Sequence, residues 1–237
     1  NTETAFKASY AGESWDASLL AFRGFNHLPE YVTTSVTVTP PANVTVNAAQ
    51  TFHRIRAAGG DASFTTGKWI FRGEAAYIWT ENNDGQNPTI IPSRLDSVLG
   101  VERPLGDDFR IQWQFLFRYF PSFVEPSQAS WPDAISAAVN QQIAKTNALL
   151  LGYQFRTRPG ATFRISYDNE DNGIESEIFL IGNFVGGDYL VRPKFTYAWT
   201  DSIRSTVGID YYGGPDDRPL GVLKSFNSLF LEGKYYF

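Results

Sequence analysis

The chain of 237 residues has no cysteine and two histidines. Thiolate nucleophiles, disulfides and cysteine metal sites are therefore excluded, and imidazole is the general base whose ordinary pKa lies nearest neutrality. His27 stands beside Pro29 where a strand passes into a loop, and His53 stands where the next strand begins. Neither opens a His-x-Ser-Asn-Gly sequence, so no serine hydroxyl is indicated within hydrogen-bond reach of an imidazole, and no catalytic residues are predicted. The run Asp168, Asn169, Glu170, Asp171, Asn172, Gly173 mimics the first half of a calcium loop, but the position that needs a bidentate glutamate is Phe179. Glu81, Asn82, Asn83, Asp84 and Gly85 are ordinary turn chemistry. No metal site and no cofactor are expected.

The informative chemistry is charge in alternation with aromatics. In residues 109–120, Phe109, Ile111, Trp113, Phe115, Phe117 and Tyr119 alternate with Arg110, Gln112, Gln114, Leu116, Arg118 and Phe120. A strand puts successive side chains on opposite faces, so one face is apolar and the other cationic or amide-bearing. Taking the polar phase of every such segment collects Lys7, Arg54, Arg56, Arg72, Arg110, Arg118, Arg156, Arg158, Arg164, Arg192, Lys194, Arg204 and Lys234, against Asp61, Glu74, Asp96, Glu102, Asp168, Glu175, Glu177, Asp210 and Glu232. That face carries about +4 and the remainder about −9, within the total of −5. The candidate pore lining is these bases other than Lys7 and Arg158, with Glu74 and Glu232, and rings of like charge set ion preference. Arg110, Arg118, Arg192 and Lys194 are the expected solute-facing groups. The alternative is that the charges pair across strands and fill a narrow interior. The net acidity and the lack of a basic cluster interleaved with aromatics argue against nucleic acid.

The elements that must position these residues are strands. Trp69, Phe71, Gly73, Ala75, Tyr77 and Trp79 alternate with Arg72, Glu74 and Thr80; Tyr189, Val191, Pro193, Phe195, Tyr197 and Trp199 alternate with Arg192, Lys194 and Thr196. The last run, 226–237, places Leu229, Leu231, Gly233, Tyr235 and Phe237 opposite Ser228, Phe230, Glu232, Lys234 and Tyr236. Weaker strands are read at 4–11, 15–24, 52–65, 94–103, 147–168, 174–184 and 203–212, eleven in all. Alternation shifts phase at Gly59 and Gly60, which reads as a bulge. Segment 147–168 is read as one long strand, because this makes short turns alternate with the long connections 26–51, 81–93, 121–146 and 213–224. Segment 33–46, broken by Pro40 and Pro41, is a hairpin or a lid; 131–145, Ala/Gln-rich after Pro132 and Asp133, is a short helix. No stretch approaches the roughly 18 apolar residues of a spanning helix, and mean hydropathy is −0.25. Any membrane crossing must be by strands, with Trp69, Trp79, Trp113, Phe115, Tyr197, Trp199, Tyr235 and Phe237 facing lipid, as Tyr10 would.

The closing Tyr235, Tyr236, Phe237 resembles the aromatic C-terminal signature of Gram-negative outer-membrane barrels. Residues 187–193, the Thr200, Asp201 turn and Gly213, Pro215, Asp216 resemble the closing hairpins of a poorly characterised family of larger porin-like proteins; 73–77 and 99–103 are similar to its earlier strands. The resemblance covers about half of the chain and concerns strand and turn grammar. It implies an all-β transmembrane antiparallel up-and-down β-barrel over 1–237 as a single domain in the bacterial outer membrane. Such barrels have even strand numbers, so N-terminal strands are expected to be missing, with twelve or more in the whole. The implied partners are outer-membrane lipids, the barrel-assembly machinery through the C-terminal strand, and small solutes. The expected function is a channel for small hydrophilic, in part anionic, solutes, and not an enzyme. The alternatives are a structural barrel sheathing a periplasmic or lumenal protein partner without an open pore, and a barrel lipid hydrolase.

Overall fold

The computed structural model describes residues 2–39, 43–125 and 134–237. Its strands are β1 (Thr4–Ala11), β2 (Trp15–Phe25), β3 (Glu30–Thr39), β4 (Asn43–Thr51), β5 (Arg54–Thr66), β6 (Trp69–Thr80) and β7 (Arg94–Leu105), followed by β8 (Phe109–Tyr119), β9 (Thr157–Asn169), β10 (Ile174–Asn183), β11 (Asp188–Thr200), β12 (Ile203–Gly213) and β13 (Ser228–Tyr235). One α-helix, α1 (Ala134–Leu151), lies between β8 and β9, and a 3-10 helix (Gly221–Phe226) precedes β13. Eleven strands form one antiparallel up-and-down sheet in chain order, and β3 and β4 form a separate hairpin inserted between β2 and β5. β1 and β13 are the two edges, each with a single neighbour, so the eleven strands do not close on themselves. Among the described residues no helix is long and apolar enough to cross a membrane.

The connections alternate between the two ends of the sheet; the four long ones share one end, together with 184–187, which is as short as 170–173 at the other. At one end they are 12–14, 67–68, 106–108, 170–173 and 201–202; at the other they are 26–53, 81–93, 120–156, 184–187 and 214–227. This is the alternation expected from the sequence, and it holds because the expected strand at 147–168 keeps its place in the count although its first part is not extended. That part is a correction. α1 runs through Leu151, and the strand begins at Thr157. The pattern Leu149, Leu151, Tyr153, Phe155 fits period two over four residues, but Ala144, Asn147, Ala148 and Leu151 recur at helical spacing and are the side chains that become buried. Gly152 then stops the helix at φ +71, with the Tyr153 N–H bonding back to the Ala148 carbonyl at 3.0 Å, the closing bond of a Schellman end. The expected helix start at Pro132 and Asp133 and the break at Pro40 and Pro41 lie outside the described residues.

No bulge occurs at Gly59 and Gly60. β5 pairs with β2 and with β6 in unbroken register, and the register shifts lie instead between Thr33 and Ser35 and between Ala198 and Thr200. The glycines serve close strand approach. A Cβ on Gly59 would sit 2.5 Å from the Ala75 carbonyl oxygen, and one on Gly60 would sit 2.7 Å from that of Ser18.

Register that is broken in this sheet only at the end of β11, between Ala198 and Thr200, makes the two faces continuous from β1 to β13, because paired residues share a face. One face carries Phe6, Tyr10, Trp15, Leu19, Phe64, Phe71, Trp79, Trp113, Phe115, Phe195, Trp199, Leu231 and Tyr235; Trp69 and Tyr197 share it. Phe237 follows the last strand. Burial is inverted relative to a water-soluble sheet. In the eleven strands the large apolar residues that stand exposed are on this aromatic face, with Leu20 the exception, whereas the buried Ser18, Thr80, Thr162, Asp188, Leu190, Thr196 and Thr206 are all on the other face.

Candidate functional site

The second face is a ladder of ionised side chains held in pairs, most of them between strands and two, Arg94 with Asp96 and Lys234 with Glu232, within one strand. Arg72 bonds Glu102 at 2.7 Å and Arg110 reaches the same carboxylate at 3.5 Å; Arg118 and Arg94 share Asp96 at 2.6 and 3.0 Å; Lys234 meets Glu232 at 3.1 Å. Arg164 pairs with Glu177, Arg192 with Asp210 and Arg204 with Glu175. Part-exposed pairs of this kind are each worth about 0–1 kcal/mol, so their consequence is charge balance more than stability. Register gives that face the bases Lys7, Arg72, Arg94, Arg110, Arg118, Arg158, Arg164, Arg192, Lys194, Arg204 and Lys234. It gives the acids Asp16, Asp61, Glu74, Asp96, Glu102, Asp168, Glu175, Glu177, Asp188, Asp210 and Glu232. Eleven face eleven, so the expected excess of positive charge is absent.

Three of the expected lining residues are placed elsewhere. Arg54 and Arg56 fall on the aromatic face, Arg56 directly opposite Trp79 and Arg23. The physical reason is the missing bulge: without a phase shift, Asp61 and Arg56 cannot share a face. Arg156 lies one residue before β9 and donates to the Pro121 carbonyl at 3.1 Å, so it belongs to a connection. The charged face encloses two clefts. One of about 600 Å³ at the short-turn end is lined by Arg110, Arg164, Lys194, Glu175 and Glu177 among others; one of about 370 Å³ is lined by Asp61, Arg72, Glu74, Glu102, Gln112 and Gln114 among others.

At the long-connection end the charged face is capped. The Arg118 guanidinium, besides holding Asp96, donates to the Leu151 carbonyl at 3.0 Å, where the negative end of the α1 dipole lies. Gly152 is packed so closely that a Cβ would meet Arg158 Nη1 at 2.0 Å. The far side of α1 is fixed by Asn147, fully buried, whose amide donates to the carbonyls of Tyr31 and Thr89 at 2.8 Å each and whose oxygen accepts the Tyr31 N–H at 3.0 Å. Thr33 Oγ1 adds a bond to Asn140 at 2.7 Å. Ile91, Phe120, Ala148, Leu151 and Tyr153 form the apolar core of this cap, and the Tyr153 hydroxyl donates to the Pro88 carbonyl at 3.1 Å.

The sequence offered no partner for His53, and the structure supplies two. His53 Nδ1 is 2.8 Å from Glu81 Oε2 and His53 Nε2 is 3.3 Å from Glu30 Oε2. Glu30, with no exposed surface, accepts the Ile91 N–H at 2.9 Å, and burial pushes its carboxyl up to about 7 against the opposing pull of that N–H and of His53. Glu81, more exposed, is held below its ordinary value by the hydrogen bond from His53. The three join the root of the β3–β4 hairpin to the connection 81–93. His27 stands apart, 3.3 Å from Glu3. The signal for the cluster was weak in sequence, since Glu30 and His53 stand at opposite ends of connection 26–53 and Glu81 belongs to connection 81–93. No protein-family model and no curated protein matches this chain.

Proposed function

We propose that this chain forms an outer-membrane transport barrel, which passes small hydrophilic solutes along the charged face beneath a cap formed by α1 and the β3–β4 hairpin. The observation that carries this reading is the inverted burial. A continuous aromatic face across eleven strands is far larger than the few hundred Å² that soluble monomers leave exposed, and hydrocarbon solvates it while the ion pairs keep to water. In the barrel, the backbone groups left open on the edges β1 and β13 are paired. Because eleven bases face eleven acids, the pore conducts with little preference between cations and anions. The experiment is conductance and reversal potential in a planar bilayer under a salt gradient, beside quenching of Trp113 by brominated lipid. The expected outcome is quenching with steady conductance that reverses near zero. A second reading, a barrel sheathing a protein partner, is favoured by the density of ion pairs and by the docking of α1 on Arg118. Quenching together with electrical silence would select it, and absence of quenching would refute both.

A further inference from the structure

The aromatic face carries four charged residues among its described strand positions, and all are arginines: Arg23, Arg54, Arg56 and Arg103. Arg103 lies near the short-turn end with its guanidinium 4.6 Å from the Trp69 ring centroid. The other three gather at the long-connection end of β2 and β5. Arg23 and Arg56 are direct cross-strand partners, and Arg54 follows on the same face beside Phe25, 5.1 Å from its ring centroid. Like charges directly opposite each other repel, and among the described residues none of the three makes an ion pair. Two carboxylates near the cluster hold other partners: Glu81, which also feels the Arg54 charge, accepts the Arg54 N–H at 3.1 Å and lies 2.8 Å from His53 Nδ1, and Glu3 accepts the Phe25 N–H at 3.0 Å. A cleft of about 530 Å³ opens between the three arginines, Trp79 and Glu81.

Directly below this cleft, along the same strands, the face becomes a shallow apolar trough of about 790 Å³ whose floor is Gly60, Ala62, Gly73 and Ala75, walled by Leu19 and Leu99. From Arg56 to Gly60 is four residues, about 13 Å along the strand, well within the length of an acyl chain. We propose that Arg23, Arg54 and Arg56 bind the phosphate of an anionic lipid headgroup, whose acyl chain lies in the Gly60–Gly73 trough. The cluster supplies cations at the level where a lipid phosphate lies, the forked guanidinium suits a phosphate oxygen pair, and the trough distinguishes a lipid from a free anion. The inference rests on the membrane reading proposed above.

The test is co-purification of lipid with the full chain in nanodiscs of phosphatidylcholine containing a minor fraction of phosphatidylglycerol, read by native mass spectrometry. An arginine beside an anionic surface is worth about fivefold in partitioning, so the wild type should retain phosphatidylglycerol up to about a hundredfold over its bulk share. Arg23→Gln with Arg54→Gln and Arg56→Gln should abolish that enrichment, and Arg103→Gln should preserve it. Insertion into pure phosphatidylcholine nanodiscs is the separate control. Insertion without anionic enrichment overturns the lipid site and leaves the barrel reading standing, whereas failure to insert overturns both. Loss of the retained lipid on addition of inorganic phosphate at equal concentration would mark a free-anion site and overturn the lipid assignment.

Discussion

Replacing Asn147 by alanine should release α1 from the charged face while the sheet stays intact. The side chain is fully buried and makes three hydrogen bonds, to the Tyr31 and Thr89 carbonyls and from the Tyr31 N–H, at 2.8, 2.8 and 3.0 Å. Each is worth about 1 kcal/mol net, so docking weakens by about 3 kcal/mol. At 1.4 kcal/mol per decade this is a factor of about a hundred in the opening equilibrium. Amide hydrogen exchange of the folded, detergent-solubilised protein reads that equilibrium directly for amides that exchange by local opening. The amides of α1 and of β3 should exchange about a hundredfold faster, while those of β11, far from the cap, should not change. Asn147→Asp should behave like the alanine variant, because it keeps the acceptor but loses both donors. If α1 keeps its protection within about threefold in both variants, Asn147 does not hold the cap and the reasoning fails.

The same cap should respond to pH. The Glu30 carboxyl is raised from 4.5 to about 7, so in that interval the folded cap holds a proton that the undocked one has lost; docking is strongest below about 4.5 and weakens as pH rises through about 7. Hydrogen exchange of β3 measured from pH 5 to 8 and corrected for intrinsic rates should show this, and Glu30→Gln should flatten it; an unchanged profile in that variant would reject the assignment. Trp113→Arg, at mid-strand on the aromatic face, should cost about 2–4 kcal/mol of folding in bilayers, whereas Gln114→Arg, on the other face, should cost under about 1 kcal/mol; equal effects in a lipid-refolding titration would contradict the facing of the sheet. Gly59→Val should lower stability by about 1–3 kcal/mol, because its side chain would meet the Ala75 carbonyl and the Ala76 Cα at 2.5 and 2.8 Å; an unchanged denaturation midpoint would argue against close strand approach. Arg118→Gln loses the Asp96 pair and the bond to the Leu151 carbonyl and should raise α1 exchange about tenfold, with unchanged exchange as the refuting result.

Strand periodicity made most of the architecture legible. Residues 109–120, 69–79 and 189–199 keep their aromatic side chains in one phase almost throughout, with the charged and amide residues in the other, and a one-residue slip would exchange the faces, so the existence and phase of these strands are legible locally. The same argument gave the long and short ends. It failed where a pattern of few residues fits two periods, as at Leu149 to Phe155, and where charge was used to set the phase, as at Arg54 and Arg56. Both arginines belong to the polar phase only if the alternation shifts at Gly59 and Gly60, and the unbroken register of β5 puts them on the aromatic face.

What the sequence determined by itself is therefore the repeat that each strand obeys, because alternation is a property of neighbouring residues in one chain. Only the tertiary structure decided what crosses between strands. It set the unbroken β5 register that leaves Arg54 and Arg56 on the aromatic face, the pairing that balances eleven bases with eleven acids, the seating of α1 on Arg118, and the meeting of Glu30, His53 and Glu81. Those depend on which residues of distant segments come within a few ångströms of one another, and hydrogen bonds and ion pairs fall off over that distance, so no spacing along the chain encodes them.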